Sequence, residues 1–422
     1  MSSRKENGNS TTNQYDVIII GAGAAGLMCA ASSFWRTGAA ETRLILESGS
    51  QPGLKLLMSG GGHCNITHEG QMRELLQAYG EAGKTLRGIL GKYSNRDSMR
   101  FLEAAGVPLQ ADETGRVLPV SMKARDVLDA YLAAVQDNGF QIRYEQKVSG
   151  ITVQRSNPDV ASGDSFQKYN YCILTESQTY RCRNLVIATG GCSYPSTGSD
   201  GTMFDILQRD AGLSITPPVP ALAPVIPEEY PYGELAGITL PHVRVSIHRD
   251  GAKSVHREGA LLFTHGAFSG PCALDISSHA ARGSRIALNY IHPMTYEDAY
   301  AAIRAQGLRT GKAVAAAFCV PRRLAALLVQ RAADSPKRLA HLLTEDTFEV
   351  SGTEGFRTAM VTKGGVALHQ IDSKTMEIKE HPGLYVIGEA IDADGISGGY
   401  NLQLCWSTAQ AAACAIAGER QE

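Results

Sequence analysis

The strongest constraint on this fold is a strand that runs straight into a glycine turn and out of it into a helix. Tyr15-Asp16-Val17-Ile18-Ile19-Ile20 is a short β-branched run of the kind found in buried parallel strands. It is followed by Gly21-Ala22-Gly23-Ala24-Ala25-Gly26, then by an alanine-rich helical stretch from Leu27 to Trp35. A second strand, Arg43 to Leu46, ends at Glu47, 21 residues past Gly26. Strand, glycine turn, helix and strand make a βαβ unit, the opening of an α/β fold. In such a unit Gly21 permits the tight turn, Gly23 lets a pyrophosphate approach the backbone, and Gly26 lets helix and strand pack closely. The partial positive charge of the helix start faces the phosphates. Glu47 is placed to accept hydrogen bonds from a ribose diol, which disfavours a 2′-phosphate. The spacing therefore predicts a dinucleotide site without choosing between NAD and FAD.

Further along, the chain alternates between two textures. Residues 53–65 are glycine-rich and read as irregular. Helices are expected over 71–105 and 122–138, strands near 141–154 and 168–175, and a buried strand at Leu185–Ala188 that stops at Thr189-Gly190-Gly191. Residues 217–227 are proline-rich, 241–265 and 285–291 alternate as strands do, and 296–345 read as helical. The α/β texture then returns. The strand Leu384–Ile387 ends at Gly388-Glu389, and a glycine-rich loop leads through Gly398-Gly399-Tyr400 into a long helix from Asn401. A carboxylate at a strand end can bind a sugar-like polyol. The amides of Tyr400, Asn401 and Leu402, at a helix start, can face an electron-rich oxygen and stabilise negative charge on a reduced flavin. An ordinary strand–loop–helix with a glycine cap is the competing reading.

This predicts one α/β domain built from both chain ends. An unstructured leader occupies 1–14, the Rossmann-like domain 15–194 and 363–422, a β-rich insert 195–295 and 346–362, and a helical cap 296–345.

Composition narrows the function. The 44 glycines in 422 residues exceed the usual rate of about 7 %, which suits backbone lying close to a ligand. Forty basic and 42 acidic residues leave a net charge of −2, which offers no global pull toward nucleic acid or anionic membrane. No apolar run reaches the roughly 18 residues that span a bilayer, and the polar leader lacks a signal core. Nine scattered cysteines without a CxxC pair read as reduced thiols. A cytoplasmic location, with no membrane and no nucleic-acid partner, is the expectation. Without a GxSxG elbow or a phosphate-binding P-loop, hydrolase and phosphotransferase chemistry are disfavoured.

The elements DVIIIGAGAAGL, GLKLLMSGGGHCNITH, LVIATGGCSYPSTGSDG, VTKGGV and LYVIGEAIDADGISGGYNLQLCWSTAQAA occur in this order between residues 15 and 418. In them the chain resembles the BaiN/YhiN-like flavoproteins, also called the aminoacetone oxidase family of FAD-binding enzymes. The resemblance implies a fold of the two-dinucleotide-binding-domains type, interrupted by a β-barrel-like domain and a small helical cap. It implies non-covalent FAD, with Gly21, Gly23, Ala25 and Gly26 at the pyrophosphate and Glu47 at the adenosine ribose. Lys55, Ser59, Gly61, Gly62 and Asn65 would lie along the pyrophosphate and flavin, and Val148 would meet the adenine edge through its backbone. Thr189 and Gly190 would form a turn beside the cofactor. Gly388 and Glu389 would meet the ribityl or phosphate region, and Gly399, Tyr400, Asn401 and Leu402 the isoalloxazine.

Two positions depart from the family pattern: His63 stands where Arg is common, and Ile378 where Ser is common. His63 titrates near neutral pH in its ordinary state, so it is a candidate acid or base, or a spacer that has lost an anion-binding role. Tyr400 offers a phenol, although its backbone role suffices. His265 reads as a surface residue and Cys64 as a packing residue. His63, His68 and Cys64 do not make a metal site. The basic stretch Arg322 to Arg331 reads as a solvated helix face. The expected function is FAD-dependent hydride transfer to or from a small organic substrate, C=C reduction or desaturation included. The second redox partner is NAD(P)H, NAD(P)⁺ or oxygen, and the insert serves as a lid. A flavin-dependent nucleic-acid-modifying enzyme and a flavin-binding sensor without turnover are the rival classes.

Overall fold

A computed structural model describes residues 13–36, 42–153, 170–249, 251 and 253–418. Of the expected leader, residues 1–12 lie outside the described residues. Asn13 already accepts a backbone hydrogen bond from Arg181 (2.8 Å), and the first strand starts at Gln14.

The chain divides into two compact units. The first comprises Met1–Gly190, Thr197–Thr216 and Gly364–Glu422. Its strands are β1 (Gln14–Ile20), β2 (Arg43–Leu46), β3 (Thr67–His68), β4 (Leu109–Ala111), β5 (Arg116–Pro119), β6 (Phe140–Arg143), β7 (Val148–Val153), β8 (Tyr171–Thr175) and β9 (Thr179–Ile187). The main sheet runs β6-β2-β1-β9-β8-β7, and a C-terminal strand, Leu384–Val386, pairs in parallel with β9. β1 is parallel to both β2 and β9, with Ile19 opposite Ile45 and Val186. This central position explains its burial: Val17 to Ile20 are each at most 4 % exposed. Helix Ala24–Ala31, which leaves β1 through the glycine turn, packs on the C-terminal helix Tyr400–Ile416.

Two expectations fail in this unit. The stretch 53–65 is not irregular: Leu54–Met58 is helical and Ser59–Gly62 forms a 3₁₀ turn, with Gly60 and Gly61 in the left-handed region. The boundary at 195 also moves, because helix Thr202–Ala211 packs beside β7 and belongs to the first unit.

The second unit comprises Gly191–Ser196 and Pro217–Lys363. β10 (Ile215–Ala221) leads into it. A closed antiparallel barrel is then built from β11 (Val225–Pro227), β12 (Thr239–His248), β13 (Val255–Phe263), β14 (Phe268–Ser269), β15 (Arg285–Asn289) and β16 (Asp346–Thr353), in the order β11-β14-β13-β12-β15-β16. Four helices, Tyr296–Gln306, Gly311–Phe318, Arg322–Ala332 and Pro336–Thr344, are inserted between β15 and β16. They share one hydrophobic core with the barrel, so cap and barrel fold together. β17 (Val361–Val366) leads back out, and the strand at Leu384–Val386 is β18.

Arg331 corrects the expected solvated face. It donates both terminal nitrogens to the buried Asp346 (2.8 and 2.9 Å) and lies over the Tyr232 ring. The exposed residues of that helix are Arg322, Arg323, Ala326 and Gln330, so the two arginines at its start keep to the solvated face. No single helix among the described residues is long and apolar enough to cross a membrane. The bent pair Gly311–Phe318 and Arg322–Ala332 places its apolar side chains in the barrel–cap core.

Candidate active site

The first unit brings the expected residues together as two clusters. At the first, Gly21 turns out of β1 with φ +102° and donates its amide to Leu46 O at 2.8 Å. A Cβ on Gly26 would sit 1.9 Å from Gly21 O, so only glycine closes this turn. Nothing lies within 4 Å of where a Cβ of Gly23 would be, which leaves an open cradle in front of the helix. That helix has no side-chain cap, so its first-turn amides remain available as donors.

Glu47 is 8 % exposed and fixed from both sides: Oε2 accepts from Ala22 N (2.8 Å) and Oε1 from Gly49 N (2.7 Å). Gln146 N donates to Glu47 O, which holds the approach to Val148 beside it, and Lys147 pairs with Asp200 at 2.8 Å. The loop before Asp200 closes over the same point, since a Cβ on Gly198 would meet Ser48 Oγ at 2.9 Å. Two buried hydroxyls here, Thr189 Oγ1 and Ser199 Oγ, have no hydrogen-bond partner among the described residues. An unmet buried hydroxyl costs about 1–3 kcal/mol, so donors waiting at a strand end fit a phosphate or ribose oxygen. Ser199 is absent from the residues expected to bind cofactor, although it lies within the motif LVIATGGCSYPSTGSDG.

The second cluster joins segments more than 300 residues apart. Lys55 Nζ meets Glu389 Oε2 at 2.5 Å. Gly388 donates to Thr408 Oγ1 and approaches Ala25 so closely that a Cβ would lie 2.7 Å from that methyl. Ser59 is turned back onto Leu56 O (2.6 Å), so its hydroxyl serves the loop. Gly61 has open space where a Cβ would be, while Gly62 also takes a positive φ. With its carboxamide oriented to satisfy both ends, Asn65 donates to Thr67 O and accepts from Gly399 N, each at 3.0 Å. Asn401 clamps the preceding loop through Gly395 N and Gly395 O, both at 2.8 Å. Gly399 caps this helix with no side chain of its own, so among the described residues no side-chain cap meets the amides of Asn401 and Leu402.

Tyr400 is not an open phenol. Its ring is buried, stacked on His68 at 5.0 Å and edge-on to Tyr79 at 6.2 Å, and Tyr79 Oη donates to Tyr400 O. Its contribution is therefore its backbone. His63 is exposed, with Nδ1 2.8 Å from Met122 O; since a carbonyl only accepts, Nδ1 carries the hydrogen of that bond and Nε2 is left open. Burial pushes the Cys64 thiol up to about 12, which leaves it a packing residue. His265 is exposed on a turn of the second unit. No metal-binding group of His, Cys, Asp or Glu occurs among the described residues.

A further part of the site lies underneath it. Gln403, fully buried, accepts from Thr67 Oγ1 (2.7 Å) and Ser98 Oγ (2.9 Å) and donates to Ser407 Oγ (2.9 Å). It ties β3 and helix Asn95–Ala104 to the C-terminal helix, and so sets the height of Asn65 against Gly399.

Comparison with known proteins assigns the chain to a family. Residues 15–415 match the family model described as HI0933-like protein Rossmann domain. A "Ribosomal RNA dihydrouridine synthase" of Haemophilus influenzae is 31 % identical, over 96 % of this chain and 98 % of that one. A "3-dehydro-bile acid delta(4,6)-reductase" of Clostridium scindens is 26 % identical, over 94 % and 98 %. Among solved structures, an open flavocytochrome c3 fumarate reductase superposes with a TM-score of 0.51 at 14 % identity, over 97 % of this chain and 79 % of that one, a likeness of fold. With the family model matched from residue 15 to 415, the chain belongs to the HI0933-like Rossmann family of FAD-dependent oxidoreductases.

Proposed function

We propose that this enzyme reduces a C=C bond conjugated to a carbonyl, that its substrate is a uridine of ribosomal RNA, and that NAD(P)H supplies the electrons. The observation that carries this reading is the 31 % identity to a ribosomal RNA dihydrouridine synthase along 96 % of the chain. Dihydrouridine is uridine with a hydride and a proton added across C5=C6, beside the C4 carbonyl. The relative named as a delta(4,6)-reductase suggests the same class of bond, which supports the reaction type more strongly than the substrate.

Bound FAD supplies two-electron hydride chemistry at its N5. The chain's own residues do the rest. Gly23, Glu47, Thr189 and Ser199 hold the adenosine and pyrophosphate half, and Lys55, Asn65 and Glu389 lie along the flavin half. The helix-start amides of Asn401 and Leu402 would favour negative charge on a reduced ring. His63 is the residue we assign to the proton, through Nε2.

The test is anaerobic incubation of the FAD-loaded protein with NADPH or NADH and unmodified ribosomal RNA, followed by nuclease digestion and mass spectrometry. The expected result is one uridine heavier by two hydrogens. Consumption of steroid-type enones with RNA left unchanged would replace this substrate by the small-molecule class.

A further inference from the structure

The geometry points to an open cavity of about 350 Å³ beside the flavin loop as the receiving site for the target nucleotide, with Arg116 on the adjoining phosphate. This rests on the reading of the substrate as a uridine in RNA. Gly60, His63 and Asn65 line one side, and Gln110, Arg116 and Met122 the other. The volume falls in the range of ligand pockets, roughly 300–1,000 Å³. The two sides are held in register by β3 against β5, which sets Thr67 opposite Val117 and His68 opposite Arg116. Because Asn65 also reaches Gly399 N, the cavity adjoins the helix start assigned to the isoalloxazine.

Three features suit a nucleotide. First, Met122, 38 % exposed, lines the cavity, and Val120, two residues before it, is 52 % exposed. Apolar and polarisable side chains at a mouth give a flipped-out base a surface to stack on. Second, among the described residues the Gln110 carboxamide makes only a long contact with Met122 Sδ, 3.8 Å, so it can donate to a carbonyl oxygen and accept from the uracil N3–H. Cytosine has no proton on N3, so it pairs with this amide only after the carboxamide turns over and gives up its contact with Met122 Sδ.

Third, Arg116 is pre-set as a phosphate ligand. Its Nε and one Nη contact Asp112 Oδ2, both at 2.7 Å, and its other donors have no protein partner among the described residues. Asp112 is itself anchored, accepting from Thr114 N (2.9 Å), Thr114 Oγ1 (2.7 Å) and Arg116 N (3.1 Å). Slight burial raises its carboxyl, but these bonds outweigh that and hold it well below the usual carboxylate range. The guanidinium is thus fixed in place, half-exposed, with its remaining donors facing out.

The test uses the FAD-loaded protein and a twelve-nucleotide single-stranded RNA carrying one uridine, with a cytidine version as control. Both binding across a salt series and turnover are read, and the bound-flavin spectrum checks that each variant is intact. Arg116→Ala is expected to weaken binding about tenfold and to lower the salt slope by about 0.7, one phosphate contact on a single strand. Arg116→Lys should restore the slope. Gln110→Ala is expected to erase about tenfold of the preference for uridine over cytidine while leaving the slope alone. If the wild-type protein reduces the RNA and both variants match it, the cavity is not the nucleotide site although the substrate stands. If the wild-type protein neither binds nor reduces the RNA yet turns over enones, the substrate reading fails, and this inference with it.

Discussion

The two halves of the cofactor site are built on opposite plans. The core of the adenosine half is local: Gly21, Gly23, Gly26 and Glu47 lie within 27 residues, and the amides of Ala22 and Gly49 with the Ser48 hydroxyl fix the Glu47 carboxylate, while Thr189 and Ser199 join from further along the chain. The flavin half is a meeting of distant segments, held by Lys55 with Glu389, Asn65 with Gly399, Thr67 with Gln403 and Tyr79 with Tyr400. A half made from one supersecondary unit forms with that unit. A half made from long-range contacts forms only when the whole first unit has folded, because loop-closure entropy is lost before those contacts form.

Gly26→Ala should have the largest effect, because both plans meet at this helix. Its Cβ would lie 1.9 Å from a backbone oxygen that no rotamer change can move. A loss of roughly 4 kcal/mol or more is expected, read as failure to purify folded, yellow protein or as a collapse of Tm. Gly399→Ala comes next and should separate the halves. Its φ of +97° and a Cβ 2.6 Å from the Thr67 carbonyl strain only the flavin end. FAD affinity should fall on the order of a hundredfold, equivalent to about 2.7 kcal/mol, while ADP, titrated calorimetrically, binds as in the wild type. Equal losses for FAD and ADP would mean that the two halves are one cooperative structure. Glu47→Ala is the mirror experiment: roughly a tenfold loss, about 1.4 kcal/mol, shared equally by FAD and ADP because the ribose acceptor serves both.

How much of this was legible in the sequence follows the same division. The adenosine half could be read because its spacing is contiguous and each residue type has one reason to be there. The flavin loops could be located from their motifs, but not what Tyr400 does in them: its packing on His68 and Tyr79 joins positions far apart in the chain. Ser199 and Gln403 were missed because a hydroxyl or an amide gains its meaning only from burial, and burial is a tertiary property. Arg331 was misread for the same reason, since its partner Asp346 lies 15 residues away, past another helix. The short helix Leu54–Met58 was hidden by the glycines that follow it. The proline-rich stretch 217–227 concealed β10 and β11. There the prolines fit because β10 pairs only with β17, and because the register shifts at Pro227.

Lys55→Met probes the charge that joins the flavin half. The Lys55 and Glu389 side chains are 25 % and 15 % exposed, so the pair is partly screened and its loss is modest. FAD affinity should fall a few-fold. The flavin reduction potential should also drop, because a cation that favours the anionic reduced ring is gone; a spectroscopic redox titration reads this. An unchanged potential would place Lys55 at the pyrophosphate and away from the ring.

The smallest effect is also the most direct comparison of the two halves, because each carries its own reporter thiol. Cys29 lies in the helix behind the glycine turn and Cys64 in the flavin loop; both are fully buried, and burial pushes each thiol up to about 12. At pH 9 only about one in a thousand of such thiols is ionised in the closed state. Labelling must therefore pass through local opening, after which an ordinary thiol, with a pKa of about 8.5, reacts readily. The exposed Cys319, in the second unit, serves as the internal standard for fast reaction. Cys64 should label roughly ten times faster than Cys29, since its loop opens by breaking a few long-range contacts whereas Cys29 requires the βαβ unit to unfold. Saturating FAD should slow Cys64 and leave the slower Cys29 rate to follow global stability. Identical rates for the two thiols, equally slowed by FAD, would show that the local and the long-range halves open together.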